Sequence, residues 1–264
     1  GHKDDRPADA KPKEAEDVET TQMALKPWIL PTGNDFIKDP ARRHVRPEGN
    51  PGGDFPFVLN GFDDNSWEKV NLPHDWAIKE PFYEGWDAEV GGGMGRLPCP
   101  GAAWYRKKLD IPASDEGKSI FLDVDGAMSY AMVWLNGQLV GGWPFGYASW
   151  RLDLTPYVEP GGENQLAIRL DNPPESSRWY PGGGIYRNVF LVKTNPVHVS
   201  RWGTFVTTHD VSETSATIDM EVAIENNSPD DVTVEAITQI FAMNEEGKKN
   251  GSAVATFAPT ETPV

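Results

Sequence analysis

The chain has 264 residues, a formal charge of −16, 38% hydrophobic residues and one cysteine, Cys99. That acidity argues against nucleic acid or an anionic membrane surface as partner, since both require a basic patch. A single cysteine excludes an internal disulfide and any cysteine-rich metal cluster, and no apolar run approaches the roughly 20 residues of a membrane-spanning helix.

Residues 1–25 are rich in Lys, Glu, Asp, Pro and Ala without periodicity and read as a flexible charged leader. The first twenty residues carry no apolar h-region, so no signal peptide is expected there. All ten tryptophans fall between Trp28 and Trp202, whereas residues 204–264 carry a net charge of −9 and neither Trp nor Tyr. That shift places a domain boundary near Thr194–Val199, giving an aromatic first domain over 26–196 and an acidic second one over 197–264.

Apolar residues recur every second position, as in Ile120, Leu122 and Val124 or Leu166, Ile168 and Leu170, and no three-turn amphipathic helix can be written after Thr20. The spacing predicts strands over 104–111, 119–124, 130–135, 165–170 and 185–193. Asn136-Gly137 predicts a two-residue hairpin between two of the first domain's strands. In the second domain strands are predicted over 197–208, 216–225, 232–243 and 253–257. Ile218, Met220, Val222 and Ile224 form the apolar side of a half-buried strand, with Asp219, Glu221 and Glu225 opposite. The chain is expected to be all-β.

The glycine loops Gly91–Gly95 and Pro181–Gly184 are set among aromatics. Neither is followed by the Lys-Ser/Thr and helix of a phosphate-binding loop. Their glycines are expected to supply positive φ and let bulky neighbours pack closely. Asp123 and Asp125 share a strand face, but Asp125-Gly126 reads as turn chemistry rather than as half of a catalytic carboxylate pair. His2, His44, His74, His198 and His209 show no metal-ligand spacing, and Cys99, with only Arg96 nearby, reads as an inert thiol. No metal or cofactor is expected.

Five segments in order carry a resemblance: Leu72-Pro73-His74-Asp75-Trp76, Ala103-Trp104-Tyr105-Arg106, Val133-Trp134-Leu135-Asn136-Gly137, Leu152-Asp153-Leu154-Thr155, and Ser177-Arg178-Trp179-Tyr180-Pro181-Gly182-Gly183-Gly184-Ile185-Tyr186-Arg187. From about Trp67 to Pro196 the chain resembles the N-terminal sugar-binding domain of glycoside hydrolase family 2, which includes β-galactosidases and β-glucuronidases. The resemblance implies a galactose-binding-like jelly-roll β-sandwich followed by an immunoglobulin-like β-sandwich. It places catalysis, with acid/base and nucleophile glutamates, on a following (β/α)₈ barrel. Only 68 residues follow Pro196, whereas such a sandwich takes about 100 and a barrel at least roughly 200 more. The second sandwich is therefore expected to be partial and the chain a fragment of a larger hydrolase with no catalytic residue of its own. Asn244-Glu245 matches the family's acid/base dipeptide only by coincidence, lying in a Glu-Glu-Gly-Lys-Lys turn.

By the same resemblance, loops of the first domain reach the rim of the barrel's active site, and the matching candidates for substrate contact are Asp75, Ser177, Arg178 and Trp179. Asp75 fits the cap of a turn equally well, and Arg178 an internal salt bridge. Trp76, Trp86, Trp143, Trp179 and Tyr180 lie in or beside loops where rings could meet the C–H faces of sugars, or could instead pack the core. The expected function is that of the noncatalytic N-terminal part of a β-galactosidase-like hydrolase, acting on carbohydrate and partnered by the catalytic barrel. The alternative is a stand-alone carbohydrate-binding module. The family resemblance implies a periplasmic or secreted location. The uncovered row Ile218–Ile224 is expected to be either covered by a second copy of the chain or mobile.

Overall fold

The computed structural model describes residues 2–3 (backbone), 37–43, 45–46, 48–79, 101–172 and 181–264. The chain divides into two compact units, Gly1–Lys193 and Thr194–Val264. Its regular elements are strands and single 3₁₀ turns, so the described chain is all-β.

The first unit holds β1 (His2–Lys3), β2 (Gly101–Leu109), β3 (Ser119–Val124), β4 (Ala131–Leu135), β5 (Gln138–Trp143), β6 (Trp150–Asp153), β7 (Asn164–Asn172) and β8 (Val189–Thr194). They form a five-stranded sheet, β1-β2-β7-β4-β5, and a three-stranded sheet, β6-β3-β8. The hairpin turn forms as Asn136-Gly137 predicts: both residues take positive φ, +51° and +77°, which matches the twist of flanking strands β4 and β5. The core lies between the sheets, where Ala103, Tyr105, Val133, Leu135, Leu166 and Ile168 of the large sheet meet Ile120, Leu122, Val124, Trp150 and Leu152 of the small one. This is an open β-sandwich. Strand 185–193 of the sequence reading is shorter than expected, because Ile185 and the residues before it serve a different contact described below.

Alternation in the large sheet does not leave a wet face. Trp104, Met132, Trp134, Leu139 and Ala167 point away from the sandwich core into a second cluster, closed by Phe55, Phe57, Val58 and Trp67 from the irregular segment 48–67. Rings of Trp104 and Trp134 lie 5.4 Å apart, with Phe55 edge-on to both. Gly52 has φ +70°, and a Cβ there would stand 2.7 Å from the Trp134 ring, so only glycine lets the strap pass. The Trp134 indole donates to the Pro51 carbonyl at 3.0 Å, and Arg106, its side chain only 2% exposed, pairs with Asp64 at 2.8 Å. The same strap protects the edge of β5. Asn50 accepts from the Leu139 amide and donates to the Gly137 carbonyl, each at 2.8 Å, while Arg46 donates to the carbonyls of Leu139 and Val140.

The second unit consists of three antiparallel ribbons: β9 (Val197–His209) with β10 (Thr217–Asn226), β11 (Thr233–Ala236) with β14 (Thr260–Pro263), and β12 (Gln239–Met243) with β13 (Lys249–Thr256). The single strand expected over 232–243 is thus corrected to two. Its alternation is continuous, but the chain changes partner at Ile237–Thr238, where the Thr238 carbonyl accepts the Phe257 amide at 3.0 Å. Strand 216–225, expected to be half-buried, keeps its apolar row Ile218, Met220 and Val222 39–48% exposed. Its hydrogen-bonded partner is β9 alone, and a two-stranded ribbon covers neither of its own faces.

Candidate functional site

The segment His74–Trp76 runs antiparallel to the glycine loop that precedes β8. The His74 amide donates to the Ile185 carbonyl at 2.8 Å and the Trp76 amide to the Gly183 carbonyl at 3.1 Å. On its other side Gly184 exchanges both backbone bonds with Met128, at 2.8 and 3.1 Å. Three stretches distant in sequence are therefore stitched together at one end of the sandwich. The glycines are needed for close approach. Gly184 has φ +113°, and a Cβ on it would fall 2.5 Å from the His74 carbonyl and 2.6 Å from the Tyr105 hydroxyl.

Asp75 sits in the seam. Its Oδ1 accepts the amides of Ala77 (2.9 Å), Ile78 (3.3 Å) and Gly183 (3.2 Å). The first two bonds cap the 3₁₀ turn Ala77–Lys79, and the third fixes the glycine loop. A carboxylate oxygen bound by several amides is a strongly oriented acceptor, so Asp75 has a defined structural task at this place. Gly183, the glycine it binds, lies four residues after Trp179 in the sequence. Ser177, Arg178 and Trp179, the other candidates for substrate contact, lie outside the described residues, as do Trp86, Tyr180, Cys99 and the Gly91–Gly95 loop.

His74 points the other way, its Nδ1 2.9 Å from the Tyr105 hydroxyl. Burial of this partly enclosed imidazole lowers its pKa, with Lys79 nearby acting in the same direction. Burial drives the Tyr105 hydroxyl well above its ordinary value, against a bond from the Ile185 backbone. Either group can donate in the His74–Tyr105 bond, since a neutral imidazole offers one donor and one acceptor nitrogen and a phenol can do both.

Of the two roles open to Trp76, the structure shows the core one. It is 8% exposed and belongs to the sandwich core, its indole packed over Gly183, because the seam draws it inward. Trp143 is half-buried at the end of β5. Asp123 forms a two-point pair with Arg151, at 2.6 and 2.7 Å, which commits it to holding β3 against β6. Asn244 accepts the amides of Glu246 and Lys248, so Asn244-Glu245 belongs to a turn. Among the described residues no group of three or more His, Cys, Asp or Glu side chains is arranged to hold a metal ion. One feature of this end escaped the sequence reading. Phe145 and Tyr147, between β5 and β6, are 56% and 44% exposed with ring centroids 5.5 Å apart. The signal for them was two aromatics alternating with Pro144 and Gly146 in a turn.

The open two-sheet sandwich matches the N-terminal β-sandwich domains of glycoside hydrolase family 2. Residues 71–180 match the glycosyl hydrolase 2 galactose-binding domain-like family, and the chain carries this N-terminal domain of glycoside hydrolase family 2. It is 44% identical over 169 residues to the β-galactosidase BoGH2A of Bacteroides ovatus, covering 64% of this chain and 20% of that protein. A β-glucuronidase of Formosa agariphila is 30% identical over 201 residues, covering 68% of this chain and 20% of its own length. The crystal structure of a family 2 member from Bacteroides cellulosilyticus superposes with a TM-score of 0.65 at 34% identity, over 79% of this chain and 26% of that one. The chain spans about 20% of the length of the curated relatives it matches.

Proposed function

We propose that this chain is the noncatalytic N-terminal part of a β-galactosidase-like family 2 hydrolase that cleaves O-glycosidic bonds, and that it shapes substrate access and packs against the catalytic barrel. The observation that carries this reading is the 44% identity to a β-galactosidase across the sandwich, in a chain spanning about 20% of that enzyme. In this reading Asp75 acts through position. Its bond to the Gly183 amide holds the glycine loop beside the Ala77–Lys79 turn that its other two bonds cap, and Ser177, Arg178 and Trp179 are assigned to substrate contact by the family resemblance. A periplasmic or secreted location is part of the same proposal, resting on the family resemblance.

Titration with methyl β-D-galactoside, followed through the amide NMR signals of Asp75 and Gly183, tests this against a stand-alone carbohydrate-binding module. An access-shaping domain needs the barrel to complete the sugar site, so no saturable shift is expected. Saturable shifts at both amides, absent in Asp75→Asn, would assign sugar affinity to the domain itself and overturn the reading.

A further inference from the structure

The turn between β5 and β6 is held far more firmly than a surface loop requires. The Pro144 carbonyl accepts the Tyr130 amide at 3.0 Å, the Gly146 carbonyl accepts the Tyr186 hydroxyl at 2.8 Å, and Ser149 Oγ donates to the Asp125 carbonyl at 3.1 Å. Gly146 is buried against the Met128 side chain and the Ala127 carbonyl, where any Cβ would collide. Between these pins Phe145 and Tyr147 are turned outward, their rings inclined at 63° to form a shallow V. Both rings are about half exposed and belong to neither core cluster, on a turn whose backbone is already held before any ligand arrives.

The surroundings of the V are polar. Arg187 is exposed and donates through one guanidinium nitrogen to the Asp125 carbonyl at 3.1 Å, beside Tyr186 in the chain. Rings flanked by guanidinium and phenol groups suit a ligand that alternates apolar C–H faces with hydroxyls. Area decides against a protein partner. Two half-exposed rings offer roughly 200 Å², far below the roughly 800 Å² per side of a standard protein interface. The ring spacing is close to one pyranose step along a glycan, which favours a chain of sugars over a single one.

We propose that Phe145 and Tyr147, with Arg187 beside them, form an oligosaccharide-binding platform. Met128 ties this platform to the seam, its backbone bonded to Gly184 and its side chain packed on Gly146. A glycan extending from the Asp75 end of the sandwich would therefore meet the V with its further units. The inference rests on the reading of the chain as part of a carbohydrate-active enzyme, and adds to it a contact that needs no barrel.

The test is amide NMR of the full chain titrated with β-1,4-galactotetraose and, for a glycan bearing carboxylates, with a hyaluronan tetrasaccharide. Saturable shifts over residues 145–149 and at Arg187 are expected with at least one of the two, weakened at least tenfold in Phe145→Ala and Tyr147→Ala. Phe145→Leu, which keeps apolar bulk without the ring, should lose binding while retaining the native spectrum. Phe190→Ala, at an exposed ring on β8, should bind as the parent does. No shift at these residues with either glycan, or undiminished binding by the Phe145 and Tyr147 variants, would overturn the platform. Shifts confined to Asp75 and Gly183 would also overturn it; produced by methyl β-D-galactoside, they would count separately against the access-shaping function.

Discussion

His74 Nδ1 and the Tyr105 hydroxyl are hydrogen-bonded across 2.9 Å, tying the seam to the middle of β2. Because burial lowers the His74 pKa, the unfolded chain binds its proton more readily than the folded one. The stabilisation from neutral His74 is therefore complete above the unfolded value of about 6.5 and is lost as pH falls through the lower folded value. Urea unfolding at pH 7.5 and 5.5 should show lower stability at the acid end. Tyr105→Phe, which leaves Nδ1 without its partner, should cost about 1–3 kcal/mol at pH 7.5.

Gly184→Ala should destabilise the first unit more than Gly49→Ala. Both glycines have positive φ, +113° and +77°, but a Cβ at Gly49 meets nothing within 4 Å. Gly49→Ala thus reports backbone strain alone, of order 1 kcal/mol. Gly184→Ala adds collisions with the His74 carbonyl and the Tyr105 hydroxyl, and its unfolding midpoint in urea should fall clearly further.

Trp134→Ala should cost about 3–5 kcal/mol, as for other buried aromatics. Trp134 is fully buried between the large sheet and the strap, and it also donates to Pro51. Limited proteolysis should then cut within 48–67, since the strap loses its main ring contact; an uncut strap would show that Arg46, Asn50 and Arg106 hold it unaided.

In the second unit His209 is bonded by carboxylates at both ring nitrogens, Asp219 at 2.7 Å and Asp210 at 2.9 Å. Asp219 first, then Asp210, raises its pKa. The associated stabilisation is complete below about 6.5 and is lost as pH rises through the raised folded value. An NMR titration should place the His209 midpoint above 6.5, and Asp219→Asn should bring it down. A midpoint unmoved by that substitution would mean the bond is not formed in solution.

Much of the sandwich was legible because alternation and turn chemistry act locally. Strand β3 was read at its observed limits, and Asn136-Gly137 announced its hairpin. Partner choice was not legible. The run 232–243 alternates without interruption, yet its halves pair with β14 and β13, a decision made by residues far along the chain. The strap was hidden for a similar reason, since Phe55, Phe57 and Trp67 have no periodicity and gain meaning only against Trp104 and Trp134. At the seam, Asp75 satisfied two readings from sequence. Geometry shows the capping role, as acceptor for Ala77, Ile78 and Gly183. For Trp76 sugar contact and core packing both stayed open, because its burial depends on Gly183, about a hundred residues away.

The most direct test of the account is hydrolysis of 4-nitrophenyl β-D-galactoside and 4-nitrophenyl β-D-glucuronide by the purified chain. A noncatalytic domain predicts release of 4-nitrophenol at the rate of the buffer blank for both substrates. Turnover well above the blank, abolished by Glu245→Gln, would contradict it and make the Asn244-Glu245 turn a catalytic element.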